Sequence, residues 1–236
     1  MPAPLLARLP GRCEVCRGWG SGLICAACQA RYAPVRPRCR RCGLVLGEAA
    51  DVDCGACQHE PPPFTHTVCA LDYGFPWDRL VADFKFHGRV EFAAPLAALL
   101  RAAIARRADR AAPPDLVVPV PLAPARLAER GYNQAWELAR RLAGPKPTAR
   151  ALPDALQRVL ETTTQATLSR AERRRNLRNA FAPAPLAPLA GADVALVDDV
   201  MTTGATAEQA ALALRRGGAR SVRLWVLART PGPPVH

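Results

Sequence analysis

Beyond residue 63 the apolar positions keep two alternating rhythms. Short unbroken apolar runs at residues 66–73, at Asp115-Leu-Val-Val-Pro-Val120, at Asp193-Val-Ala-Leu-Val-Asp198 and at Val222–Ala228 have the length and β-branched content of buried strands. Between them, apolar residues recur every three or four positions. They do so at Trp77, Leu80, Val81 and Phe84 within Trp77–Phe86, over about residues 91–108, over Gln134–Leu142 and over Ala207–Arg216. These stretches predict helices, the second limited by Pro95 and the last ended by Gly217-Gly218. Strand and helix alternating in this way predict an α/β fold with a doubly wound parallel sheet. The longest apolar runs, such as Leu96–Leu100, fall far short of the roughly 18 to 20 residues that cross a bilayer, so no membrane span is expected.

Residues 1–63 have no such rhythm. Eight of the nine cysteines stand here as four CxxC pairs, Cys13/Cys16, Cys25/Cys28, Cys39/Cys42 and Cys54/Cys57. A CxxC at a tight turn aims two thiolates at one point, and two such knuckles complete a tetrahedral zinc site. About two structural Zn²⁺ are therefore expected, each with four cysteine ligands and no open position for catalysis. Pairing the knuckles in sequence makes a double zinc ribbon, and pairing them alternately makes a cross-brace. Sequential pairing is favoured because each half closes its loop locally. Only short apolar pieces such as Leu23-Ile24 and Leu44-Val45-Leu46 are on hand to bury, so the metal must supply most of this module's stability. The stiff Glu60-Pro61-Pro62-Pro63 connector sets the expected boundary between a module at 1–63 and an α/β domain at 64–236. The ninth cysteine, Cys69, lies in an apolar strand and reads as a buried thiol.

Length and composition limit the classes without choosing among them. With 236 residues and 50% apolar content, the chain can hold one sizeable core and a small module, which excludes a disordered or collagenous protein. The net charge of +12 rests almost wholly on arginine, the only lysines being Lys85 and Lys146, and a polyanionic partner is one consequence. At the amino end, Arg8 and Arg12 interrupt any hydrophobic leader, so a cytoplasmic location is expected.

Ligands of a doubly wound sheet bind past the carboxyl ends of its strands, and one strand end here is exceptional. Val194 to Thr206 runs as an apolar strand, two acids, then a loop of small residues that opens a helix. The amides of Thr202, Thr203, Gly204 and Ala205, with the hydroxyls of Thr202, Thr203 and Thr206, can wrap a phosphate at the positive end of that helix. Asp198 and Asp199 stand where vicinal sugar hydroxyls would project, and carboxylates can also hold Mg²⁺ through water. The order of residues differs from a Walker A loop and from a GxGxxG turn. It resembles the phosphoribosyl pyrophosphate (PRPP) signature of type I phosphoribosyltransferases.

Further pieces narrow the resemblance. Phe84-Lys85-Phe86-His87-Gly88, Pro119-Val120-Pro121-Leu122, Arg126 with Arg130-Gly131-Tyr132-Asn133-Gln134, Arg158, Thr162, Gln165, Arg173 to Asn176 and Ala180-Phe181 together resemble the ComF family of competence proteins. With the knuckles ahead of them the resemblance covers essentially the whole chain. It departs at Val159 and Leu160, where relatives often carry another basic residue.

The resemblance implies a zinc-ribbon module fused to a phosphoribosyltransferase domain, acting in uptake or use of single-stranded DNA. It implies PRPP with Mg²⁺ as ligand, and other competence or recombination proteins as partners. Val120 and Pro121, with Arg126 and Arg130, are then expected at the pyrophosphate, although the two arginines also suit a solvated helix face. Arg158, Arg170, Arg173, Arg174, Arg175 and Arg178 form a basic stretch that could close over pyrophosphate or follow a DNA backbone. Lys85 and Arg89 extend a possible basic rim. A nucleobase or amine phosphoribosyltransferase of nucleotide salvage or biosynthesis is the alternative, although no base-reading element is visible.

Overall fold

The computed structural model describes residues 10–47, 52–107, 112–143, 149–159 and 179–232. Its centre is a five-stranded parallel sheet. The amino-terminal segment contributes β1 (Pro10–Arg12), β2 (Trp19–Ser21), α1 (Ala26–Tyr32) and α2 (Gly55–His59). Then follow β3 (Thr67–Asp72), α3 (Trp77–Phe86), α4 (Ala93–Ala105), β4 (Leu116–Pro119), α5 (Pro124–Arg130) and α6 (Gln134–Leu142). The chain continues through β5 (Arg150–Ala151), β6 (Leu156–Arg158), β7 (Phe181–Pro183), β8 (Asp193–Met201), α7 (Ala205–Arg216) and β9 (Ser221–Arg229).

The strand order is β3-β9-β8-β4-β5. From β4 the chain goes outward to β5 on one side and later returns to lay β8 on the other, so the winding reverses between β4 and β8. That reversal opens a crevice at the carboxyl ends of these two strands. Pairing of β4 with β8 ends at Pro119 opposite Val197, and β8 runs on through Asp198 and Asp199 beside β9 alone. The acid pair therefore stands where its neighbour has stopped.

Alternation along the strands builds two cores. Val117, Ala195 and Val197 face a layer containing Phe84 of α3, Leu96 and Leu100 of α4 and Leu138 of α6. Leu116, Val118, Val194 and Leu196 face the other way, toward Ala207, Ala210, Ala211 and Leu214 of α7. The alanines on that helix leave no bulk between it and the sheet. Cys69 of β3 is buried as expected, and burial pushes its thiol up to about 11.

Several elements differ from the sequence reading. The expected helix at 91–108 is a 3-10 turn at Val90–Phe92 followed by α4, with Pro95 in the first turn, where a missing N–H costs little. The strand expected at Asp193–Asp198 extends to Met201 because β9 continues to pair with it. The small antiparallel pair β6 and β7 lacks apolar runs long enough to have been read as strands.

The cysteine module is not a free appendage. Cys13, Ile24 and Cys28 belong to the same core as Trp77, Leu80 and Phe84. Trp77 Nε1 donates to the Tyr32 carbonyl at 2.7 Å, and Arg89 pairs with Glu14 at 2.8 Å. The second half of the module lies along β3, the edge of the sheet. There the Thr67 amide and hydroxyl donate to the carbonyls of Arg40 and Arg41, covering an edge that would otherwise offer unpaired backbone. Gly43 permits this approach. Its φ is +67°, and a Cβ at that position would stand 3.1 Å from Thr67 Cγ2 and 3.3 Å from Cys69 Cβ.

Candidate functional site

The eight module cysteines form two groups, Cys13/Cys16/Cys25/Cys28 and Cys39/Cys42/Cys54/Cys57, with the sulfurs of each group within 4.8 Å of one another. The pairing is sequential, as local loop closure favours, and not a cross-brace. In a tetrahedral zinc site with Zn–S of about 2.3 Å, the sulfurs lie about 3.8 Å apart. Cys16 and Cys25 are at 3.9 Å, and Cys42 and Cys54 at 3.7 Å. Both groups therefore fit one Zn²⁺ each.

The backbone prepares one thiolate in each group. The Cys25 amide donates to Cys13 Sγ at 3.4 Å, while the amides of Cys42 and Cys54 donate to Cys39 Sγ at 3.5 and 3.2 Å. Burial works against ionisation, but these amides outweigh it, bringing Cys13 down to about 6 and lowering Cys39 as well. Their neighbours move oppositely. Burial, then the adjacent sulfurs, raise Cys28 to about 12, and burial with the nearby Cys39 charge raises Cys42 to about 12. Four crowded sulfurs cannot all ionise without a cation among them, which is the electrostatic demand that a divalent metal meets.

The second site lies at the crevice between β4 and β8. Alternation through Ala195 and Val197 carries Asp199 toward α3, where Lys85 Nζ meets its Oδ1 at 2.9 Å. Asp199 also accepts from the Val200 amide, and its own amide donates to Asp198 Oδ1 at 2.8 Å. Partly buried and beside a second carboxylate, Asp198 is raised to about 7, with burial the larger cause and Asp199 the next. After Met201 the chain turns at Gly204, φ +87°, into α7. This left-handed position suits glycine, and the first turn of the helix begins beside the crevice. Asp198, Thr202, Gly204, Ala205 and Thr206 line a small depression there. Asp199 and Thr203 are not among its walls, and the Thr203 hydroxyl accepts from the Ala205 amide at 3.4 Å.

The remaining expected residues fall in different places. The Val120 amide is committed to the Val197 carbonyl at 2.8 Å and Pro121 has no N–H, so the next backbone donors at this strand end are Leu122 and Ala123. Arg126 and Arg130 lie on α5, outside the walls of the depression. Arg130 donates to Gln134 Oε1 at 3.0 Å, and its guanidinium sits 4.7 Å from the centre of the Phe86 ring. Its Nε is buried without a hydrogen-bond partner among the described residues. Arg158 stacks over Phe181 at 5.6 Å, away from the loop. Arg170, Arg173, Arg174, Arg175 and Arg178 lie outside the described residues, as do Thr162 and Gln165. Arg89 faces Glu14 and Glu91 and ties the first cysteine group to the domain, instead of forming a rim with Lys85.

Four supporting residues escaped the sequence reading. Lys85 was noted for its charge and not as the partner of Asp199. Asn133 caps α6, accepting from the Ala135 amide at 2.9 Å, and donates to the Val120 carbonyl at 3.0 Å, fixing the strand end that faces the acids. Gln134 is buried and donates to the Lys85 carbonyl at 3.4 Å. Arg229, at the end of β9, donates from Nε to the Cys42 carbonyl at 3.2 Å and from Nη1 to the carbonyls of Met201 and Thr202. It bridges the second cysteine group and the loop. Asn133 and Gln134 fall in a motif already singled out, but nothing in one sequence gives an amide side chain a carbonyl forty-nine residues away.

No protein-family model matches the chain. Curated relatives do. DNA utilization protein YhgH of Salmonella typhi is 39% identical over 230 residues, covering 94% of this chain and 98% of the relative. The protein of the same name from Escherichia coli K12 is 36% identical over 235 residues, with the same shares covered. Competence protein F of Haemophilus influenzae is 36% identical over 224 residues, covering 92% of this chain and 96% of the relative. Among solved structures, that of an allosteric regulatory enzyme of purine biosynthesis matches at a TM-score of 0.33 and 20% identity, over 57% of this chain and 25% of that one. Aligned almost end to end with relatives at 36–39% identity, the chain belongs to the family of DNA utilization protein YhgH and competence protein F.

Proposed function

We propose that the protein binds PRPP, or a related phosphoribosyl ligand, with Mg²⁺ in the crevice after β8, and that it acts in handling single-stranded DNA during uptake or use. One observation carries the ligand reading: Asp198 and Asp199 lie near the end of a parallel strand, past the end of its neighbour β4 at the reversal of the winding, two residues ahead of a Thr-Thr-Gly-Ala-Thr turn into α7. A 5-phosphate suits the first amides of α7 and the exposed Thr202 hydroxyl. Ribose hydroxyls suit the carboxylates, and the ion pair with Lys85 holds Asp199 in place for them. A Mg²⁺ escorting the pyrophosphate would neutralise its charge, and the acid pair is the carboxylate set available to such an ion through water.

The DNA reading rests on the relatives' names, and the net charge of +12 suits a polyanion. Among the described residues no helix is long and apolar enough to cross a membrane, and we place the protein on the cytoplasmic side. The test is calorimetric titration of one preparation with Mg²⁺ and PRPP, and then with a single-stranded oligonucleotide. Saturable binding of both is expected. Absence of PRPP binding overturns the ligand reading, and absence of DNA binding overturns a direct role at the strand. A pyrophosphate-release assay with a panel of bases separates a binding module from a transferase: release with one base establishes the salvage-type enzyme.

A further inference from the structure

Away from the acid–threonine loop, a cleft of ≈190 Å³ opens where the segment between the two cysteine groups crosses the edge of the sheet. Its floor is Thr67–Ala70 of β3, and its walls carry four arginines, Arg36 and Arg38 from the crossing segment and Arg106 and Arg107 from the end of α4. Among the described residues no carboxylate is among its walls. Asp72 lies just outside, taking Arg38 at 2.7 Å and Arg36 Nε at 3.2 Å. The side chain of Arg38 is only 11% exposed and is further held by the Gly43 carbonyl at 3.1 Å, while Arg107 Nη1 reaches the Thr67 carbonyl at 3.5 Å. Arg36 and Arg106 remain exposed at the mouth.

We infer that this cleft is a phosphate-binding site for the backbone of single-stranded DNA, built jointly by the cysteine module and the α/β domain and separate from the PRPP crevice. A concave wall of like charge focuses potential, and guanidinium forks match phosphate oxygens. Two arginines held by carbonyls and a carboxylate lose little freedom on binding. Pro34 and Pro37 stiffen the crossing segment, so the wall is set before the ligand arrives. The charge is not a consequence of arginine-rich composition alone, because two segments some seventy residues apart in the chain bring their arginines to one concavity. One strand, β9, lies between this edge and β8, which carries the acids, a lateral offset of about 10 Å. By register Thr67–Cys69 stand level with Leu196–Asp198 of β8, but the cleft and the depression beside the acid–threonine loop share no lining residue. A strand of DNA could occupy the cleft while PRPP sits in the crevice.

The inference rests on the DNA part of the proposed function, and the test keeps the two apart. The full-length protein and its Arg36→Glu/Arg106→Glu variant are titrated with a fluorescent twenty-nucleotide oligothymidylate at several salt concentrations, beside an Arg79→Glu/Arg101→Glu control of equal charge change. The cleft variant is expected to lose at least about tenfold in affinity. Its salt slope should fall by about 1.4, two phosphate contacts at about 0.7 each, while PRPP affinity stays the same. The control should lose far less. Equal losses in the two variants overturn the cleft while leaving DNA binding intact. A parent protein that binds no oligonucleotide overturns both readings. Displacement of the oligonucleotide by sub-millimolar pyrophosphate would assign the cleft to a free anion and also overturn the inference. Should charge reversal beside Asp72 unfold the chain, Arg36→Gln/Arg106→Gln carries the same test with a smaller expected loss.

Discussion

The cysteine groups and the acid–threonine loop are assembled by opposite means. Each cysteine group draws its four ligands from one short stretch, residues 13–28 or 39–57, and the backbone turns of the knuckles do the positioning. The loop after β8 is contiguous as well, but what makes it a site comes from afar: Lys85 from α3, Val120 at the end of β4 held by Asn133, and Arg229 from the last strand. Local spacing is enough to predict a metal centre. A ligand crevice exists only once the sheet has been wound around it.

The comparison breaks most readily at the metal. If the groups hold structural zinc, each contributes on the order of 10 kcal/mol, as much as the whole stability of an ordinary domain. Because Cys13, Ile24 and Cys28 share a core with Trp77 and Leu80, a strong chelator should lower the main calorimetric transition of the entire chain, by on the order of 20 °C or more. An α/β transition unmoved by chelation would show that the module is independent after all. Metal analysis of the reduced protein should give about two zinc ions per chain.

A smaller effect, of opposite sign, is expected at the loop. The pKa of Asp198 is raised from 3.8 to about 7 in the folded chain, so folding favours its protonated form. That contribution is complete below pH 3.8, declines as pH rises toward 7 and is lost above it. Asp198→Asn imitates the protonated acid. It should stabilise the protein at pH 8 by up to about 4 kcal/mol in urea unfolding, the advantage disappearing toward pH 4. A variant less stable than the parent at pH 8 would mean that the charge is well accommodated.

Arg229 tests whether the two regions are coupled. Arg229→Met removes the donors to Cys42, Met201 and Thr202, and should cost on the order of 2 kcal/mol of stability together with a loss of PRPP affinity. Unchanged PRPP affinity would confine Arg229 to the fold. The smallest change is at the turn: Gly204→Ala forces a side chain into φ +87°, at a cost of about 1 kcal/mol by thermal unfolding. No destabilisation would show that the turn relaxes.

Much of this arrangement is legible in the residues. The CxxC spacings carry both cysteine groups and favour their pairing, and the run from Val194 to Thr206 declares strand, acids and a small-residue turn into a helix because those parts are adjacent in the chain. The helix periods of α3 and α6 coincide with the observed bounds, Trp77–Phe86 and Gln134–Leu142. Docking is not legible. That Trp77 would bond the Tyr32 carbonyl, or that Arg40 would cover the edge at Thr67, depends on surfaces meeting after each has formed. Charge in sequence was also an uncertain guide to charge in space. Arg89, counted toward a rim, joins the module to the domain, whereas Arg36 and Arg106, which no motif marked, share a cleft.

The central claim is that the acid pair receives a phosphoribosyl ligand, and titration of Asp198→Asn/Asp199→Asn with Mg²⁺ and PRPP tests it most directly. The double change keeps size while removing both charges, and it releases Lys85 from its partner. Binding should weaken by about 1.5 to 3 kcal/mol, roughly ten- to 150-fold, the usual loss for charge-assisted hydrogen bonds, while oligonucleotide affinity holds or rises slightly. Undiminished PRPP binding in a folded double variant would contradict the account.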